Sequence, residues 1–328
     1  MDMADSNETK PADLKCSHAL ELTFWILYGC VGVVTFTGNC FTFLVFVTSK
    51  RLRQSYMNVF LLNLAVADVM MSTFVVPYNV LCNSCSESAL QFCWLMAGLK
   101  DIALGGTVFN LAAISLDRFL AVIRPLHYHN DMTNTRVICI LLGVWSFNFI
   151  LAAIRNTWLH TTSPDEALRR DKIYNSILIF AFALLPLLVM IVMNAKIIQA
   201  IRRQNRLVHQ ERIRGNTEEG NQGSRLARER SRARRGTIAC VFVVFIFFVS
   251  WLPLGFVNFS FVFGRRDLVR DSLVKVAWLL LLLQSSANPF IYSFFRFEFR
   301  QAAHKLIFCR FRRVDIEPTS RFSGTNTN

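Results

Sequence analysis

The stretch Cys93–Pro125, CWLMAGLKDIALGGTVFNLAAISLDRFLAVIRP, constrains this chain more than any other. It is an apolar run of helix length with Lys100 and Asp101 near one end and Asp117-Arg118-Phe119 near the other. At 1.5 Å per residue and 3.6 residues per turn, Lys100 and Arg118 lie about 27 Å and about five whole turns apart. They share one face at opposite ends of a bilayer-sized helix. Ionisable residues inside an apolar span face a protein interior or a water-filled cavity, so a bundle must surround this helix.

The composition is that of a membrane protein: 53% of the 328 residues are hydrophobic and 30 are Phe. The formal charge of +14 does not point to nucleic acid, because the basic residues sit mainly in short segments between apolar runs, the pattern of cytoplasmic membrane loops. Nine cysteines scattered over spans and loops give no reason to expect zinc.

Six further spans are expected, at about Leu20–Val47, Met57–Leu81, Val137–Ile154, Tyr174–Ala200, Thr237–Phe261 and Leu273–Tyr292. Residues 1–18 form a polar tail with an acceptor sequon at Asn7, which agrees with an extracellular N-terminus. The segments after spans one, three and five are basic and are placed inside, so the C-terminus is inside too. Residues 202–235 read as a flexible or frayed-helical cytoplasmic loop. Residues 294–309 follow with Phe295, Phe299, Ala302 and Leu306 on one stripe, the pattern of an interfacial amphipathic helix. Cys309 closes that helix as a palmitoylation candidate, and residues 310–328 form a disordered tail. The fold class is therefore an all-α membrane protein, a seven-transmembrane helix bundle with a short C-terminal amphipathic helix, at residues 19–293 and 294–309.

In this order, Gly38-Asn39, Leu64-Ala65-Val66-Ala67-Asp68, Cys93, Asp117-Arg118-Phe119, Trp145, Pro186, Trp251-Leu252-Pro253 and Asn288-Pro289-Phe290-Ile291-Tyr292 resemble the rhodopsin-like (class A) G-protein-coupled receptors. The resemblance covers about residues 20–309. It implies a multi-pass plasma-membrane receptor that binds an extracellular ligand and activates heterotrimeric G proteins as the cytoplasmic helix ends move outward. Arrestin and receptor kinases are implied partners, with Thr319, Ser320, Ser323 and Thr325 in the tail as phosphorylation candidates. No catalytic residues and no cofactor are expected, apart from an allosteric sodium ion.

The resemblance makes Arg118 a switch held by Asp117 while the bundle is closed, with Phe119 and Tyr292 beside it and Leu126 as an apolar knob for the G protein. Asp68, Asn39, Thr107, Ser285 and Asn288 match the polar cluster that hosts sodium in this family; a hydrogen-bonded water network is the alternative. Trp251, Phe247, Pro186, Pro253 and Pro289 correspond to its transmission packing.

Three departures set this chain apart. Cys93 lacks its usual partner in the second outer loop, so it is expected to pair within the outer set Cys16, Cys82, Cys85, with Cys16 or Cys85 favoured. Asn194 stands where a tyrosine is usual, and Ala233, with Glu229 a turn earlier, where an acidic residue is usual, so raised ligand-independent signalling is expected. Lys100 occupies the position of the amine-binding aspartate, which reverses the sign of the anchor.

A peptide terminus or an acidic small molecule is therefore favoured over a monoamine, unless Lys100 is tied up in an internal ion pair or held neutral. Asp101, Tyr78, Asn258 and Gln284 complete the candidate pocket. The Asn258 sequon lies inside a span and is discounted for glycosylation. Rival classes are a ligand-independent receptor-like scaffold, a constitutively active orphan and, with less support, a transporter or channel. A membrane enzyme would need a Ser/His, paired-Asp or His-cluster site at one depth, and the spans offer none.

Overall fold

A computed structural model describes residues 18–82, 93–159, 164–178, 184–213 and 221–314. Helix α1 (His18–Thr48) leads through the short α2 (Lys50–Arg53) into α3 (Tyr56–Met70). The second span then unwinds into two π-helical turns, Met71–Val75 and Tyr78–Cys82, on either side of Pro77. Proline has no N–H for the usual ladder and its ring crowds the preceding turn, so the helix widens there. The Asn79 amide donates to the Val75 carbonyl at 2.9 Å across the widened turn.

The central helix α4 is Cys93–Ile123, followed by α5 (Tyr128–Asp131) and α6 (Asn134–Leu159). Then come α7 (Pro164–Leu178), α8 (Leu185–Ile213), α9 (Asn221–Val262), α10 (Asp271–Phe295) and α11 (Phe297–Val314). Seven of the described helical stretches are long and apolar enough to cross a bilayer. Helix α4 packs against α3, α6, α8 and α9, while α1 packs on α3 and α10, and α10 on α9. The charged stretch of the sequence is thus the axis of the bundle, and Asn110, Asp117 and Thr107 on it are buried. Outward faces carry exposed apolar side chains, such as Ile138, Leu142, Phe149 and Ile150 on α6, which are stable only against lipid.

Of the expected fifth span, residues 174–178 fall at the end of α7 and residues 185–200 in α8, and residues 179–183 lie outside the described residues. Pro186 lies in α8. One boundary differs from expectation. Helix α9 begins at Asn221, so much of the expected inner loop is continuous with the sixth span.

The outer disulfide is also corrected: Cys93 is bonded to Cys82, with Cα atoms 5.5 Å apart, and not to Cys16 or Cys85. Cys82 ends the second span and Cys93 starts the third, on the same side of the bundle, so the bond closes the short outer loop between them. Cys16, Cys85 and Asn7 lie outside the described residues. At the opposite end, Phe299 of α11 is buried against Phe46 and Tyr292, which fastens α11 beneath α1 and α10.

Candidate ligand cavity and cytoplasmic switch

Near the Cys93 end of α4 a cavity of about 160 Å³ opens between α4, α6, α7, α9 and α10. Leu104, Val108, Leu254, Trp251 and Trp278 give it apolar walls, and Asn148, Asn175 and Asn258 contribute amides. Lys100 and Asp101 line it together. Lys100 Nζ donates to Asp101 Oδ1 at 2.7 Å and lies 5.0 and 5.2 Å from the ring centroids of Tyr78 and Trp278. The other oxygen of Asp101 accepts from Arg155 of α6 at 2.5 Å. One carboxylate therefore bridges two cations, and Lys100 is held in an internal ion pair. Arg155 stands outside the lining, with its guanidinium 5.9 Å from the Tyr174 ring.

Of the expected pocket residues, Lys100, Asp101 and Asn258 line this cavity. Tyr78 does not line it; it stands against Lys100 as an aromatic wall. Gln284 is buried and also outside the lining, because α10 turns it toward the packed interior. Arg155 escaped the sequence reading. Its signal was a cation in the last turns of an otherwise apolar helix, at a depth that could reach Asp101.

Below the cavity, Trp251 and Phe247 pack with ring centroids 5.2 Å apart. Pro253 and Pro289 lie inside α9 and α10, and Pro289 packs against Gly38, where any Cβ would come within 3.2 Å of it. Further in, Asn288 donates to Asp68 Oδ2 at 2.6 Å, and Asn39 donates to the Thr35 and Ser285 carbonyls. Among the described residues, Asp68 Oδ1 and Asn39 Oδ1 are buried with no hydrogen-bond partner, and Ser285 Oγ closes none. The Thr107 hydroxyl donates to the Ala103 carbonyl, which leaves its lone pairs available. Buried oxygens left without donors beside a carboxylate are the donor set a hard monovalent cation takes. The residues present therefore fit a sodium ion.

At the opposite end of α4 from the cavity, Asp117 is fully buried and accepts from Arg118 Nε at 2.9 Å. Its other oxygen accepts from the Tyr128 hydroxyl at 2.6 Å. Burial, together with the adjacent Asp117 carboxylate, raises the Tyr128 phenol above its ordinary pKa, so it remains a donor. Tyr128 was not among the expected switch residues. Asn194 is turned inward, donating to Ser115 Oγ at 3.2 Å and to the Met190 carbonyl. Leu126 is 91% exposed next to this lock, whereas Tyr292 is buried. Phe119 is half-buried beside Arg118 on the same helix. Cys309 lies on α11.

A cavity near one end of the bundle, an ion-paired arginine at the other and a polar core between them, built from α1, α3, α4 and α10, fit a seven-helix transmembrane receptor. Comparison with known proteins narrows the class. A family described as "7 transmembrane receptor (rhodopsin family)" matches residues 38–292, and the chain belongs to that family. The histamine H2 receptor of Cavia porcellus is 27% identical over 98% of this chain and 90% of its own length. The human H2 receptor is 26% identical over 94% of this chain and 86% of its own length. The adenosine A2a receptor of Canis lupus familiaris is 27% identical over 77% of this chain; the match spans 65% of that receptor. The chain is thus a G-protein-coupled receptor, a multi-pass protein of the plasma membrane.

Proposed function

We propose that this receptor, with its N-terminus outside the cell, binds an extracellular acidic ligand in the cavity beside Lys100. Outward movement of the cytoplasmic helix ends then engages a heterotrimeric G protein. The observation that carries the reading is Lys100, whose ammonium lines the cavity while its ion-pair partner Asp101 is shared with Arg155. The similar receptors are named for histamine and adenosine. An ammonium entering here would be repelled where a histamine-type ligand needs a carboxylate, because Asp101 already serves two cations. Arg118, freed from Asp117, supplies the contact to the G protein, with Leu126 as the apolar knob beside it. Arrestin and receptor kinases would act on the inner face and tail.

A panel of G-protein activation sensors tests this directly. Ligand-dependent activation is expected in the native chain and should be lost in Arg118→Ala at matched surface expression. A native chain that responds to no ligand, with basal activity equal to that of Arg118→Ala, would show a scaffold instead.

The polar core is proposed to hold sodium through Asp68, Asn39, Thr107 and Ser285, with Asn288 fixing the carboxylate. Bound there, the ion would supply the positive charge that the buried carboxylate lacks and favour the closed bundle. Replacing choline by sodium should raise the thermal midpoint of the purified receptor, and Asp68→Asn should erase that sodium effect. A sodium effect that persists in Asp68→Asn would place the ion elsewhere.

A further inference from the structure

Building on the acidic-ligand reading, we infer that the cavity takes a small organic monoanion, a single carboxylate on an apolar body, and that Asp101 is a built-in competitor for its anchor. The competitor's strength is set by Arg155 from outside the cavity wall.

The three charges are inseparable in space. Asp101 spans Lys100 and Arg155 through its two oxygens, and all three side chains are largely buried. Lys100 is further enclosed by the faces of Tyr78 and Trp278, so its ammonium has little water to solvate it. A charge of one sign in a poorly solvated cavity attracts an opposite charge more strongly than it would in water. Among the described residues lining the cavity, the ionisable side chains are Lys100, Asp101 and Tyr174. Among these described residues no second cation is presented for a dianion. A zwitterion fares no better, because its ammonium would have to take Asp101 from Lys100 or Arg155. The rest of the wall is mainly aliphatic and aromatic, which suits an apolar body. A cavity of about 160 Å³ suits one ring and a short arm rather than a peptide.

Arg155 matters although it does not line the cavity. By holding one oxygen of Asp101 it keeps that carboxylate from neutralising Lys100 outright, and so leaves Lys100 able to accept a second anion. Removing Arg155 makes Asp101 a full counter-ion to Lys100, and an incoming acid then has to displace it. Removing the charge of Asp101 does the reverse. A purely structural role for the trio predicts losses in both cases, whereas the competitor role predicts opposite signs.

The experiment uses the full-length receptor in lipid nanodiscs. Thermal shift and G-protein activation are measured with benzoate, phenylacetate, indole-3-acetate and octanoate, their uncharged amides, histamine, adenosine and a hexapeptide with a free C-terminus. Acids should bind and their amides should not. For the best acid, Lys100→Gln should weaken binding about 10- to 100-fold and Arg155→Gln about 10-fold, while Asp101→Asn should tighten it about 10-fold. Weaker acid binding in Asp101→Asn would overturn the competitor role. If Asp101→Asn does not reach the membrane, unchanged acid affinity in Arg155→Gln overturns it equally. Stronger response to histamine, adenosine or the peptide than to every acid would overturn the monoanion class while leaving the receptor reading intact. That broader reading fails separately, on the loss of all G-protein activation.

Discussion

Replacing Tyr128 by phenylalanine is expected to raise ligand-independent G-protein activation several-fold. In the closed bundle Asp117 is fully buried, and its two oxygens are divided between Arg118 and the Tyr128 hydroxyl. Phenylalanine keeps the ring and its packing but leaves one carboxylate oxygen without that donor. An orphaned buried acceptor costs about 1–3 kcal/mol, and the cost falls on the state in which Asp117 is enclosed. If the hydroxyl leaves Asp117 when the inner ends separate, a loss of about 1.4 kcal/mol in the closed state multiplies the open population about 10-fold while that population is small. Asn194 offers no compensating hydroxyl, since its amide is committed to Ser115 and Met190. Nucleotide exchange at matched surface expression reads the effect, and Tyr128→Phe combined with Arg118→Ala should return it to background. Basal exchange equal to the native chain in Tyr128→Phe would show that the hydroxyl does not hold the closed state.

How far the sequence disclosed this lock depended on geometry within one helix or between several. Asp117 and Arg118 are adjacent, so their pairing needs only an α-helix, and the apolar run around them supplies one. Tyr128 reaches Asp117 from a four-residue helix, α5, whose orientation no periodicity defines. The same division holds at the outer end. Lys100 and Asp101 were legible on α4, but Arg155 comes from α6, and its meeting with Asp101 depends on how those helices pack. The seven spans were legible because length and apolarity decide a span before any packing is known. The disulfide was not. Cys82 stood in the expected outer set, but Cys16 and Cys85 were favoured; the π-helical turn after Pro77 carries Cys82 to a Cα–Cα distance of 5.5 Å from Cys93. Gln284 was misplaced for a rotational reason: on a helix buried on most sides, neighbouring polar residues turn toward different partners, and the sequence does not say which face meets the cavity.

A single methyl group at Gly105 is expected to damage the cavity far more than the same change at the neighbouring Gly106. A Cβ built at Gly105 would stand 1.7 Å from Asn148 Oδ1 and 2.6 Å from its Cγ, far inside van der Waals contact. The Asn148 amide is buried and donates to the Val144 carbonyl at 2.6 Å, and Gly105 and Asn148 both line the cavity. Gly105→Ala must therefore drive the Asn148 side chain out of its rotamer, break that hydrogen bond or separate α4 from α6. Overpacking of this kind costs about 1–3 kcal/mol. The same change should lower ligand affinity about 5- to 150-fold if it is expressed in the cavity. The neighbouring glycine provides the control, because a Cβ at Gly106 would approach Ala67 and Trp145 no closer than 3.4 Å. Gly106→Ala should thus cost much less, and the helix-propensity gain of alanine over glycine partly offsets what remains. Asn148→Gly alone should be mildly destabilising through lost packing, yet combined with Gly105→Ala it should recover most of the stability, with a coupling energy of about 1–3 kcal/mol. Thermal unfolding of the four purified variants measures this without any ligand. Equal midpoints for Gly105→Ala and Gly106→Ala would mean that α4 and α6 yield at this contact, and that Gly105 is no constraint on the cavity.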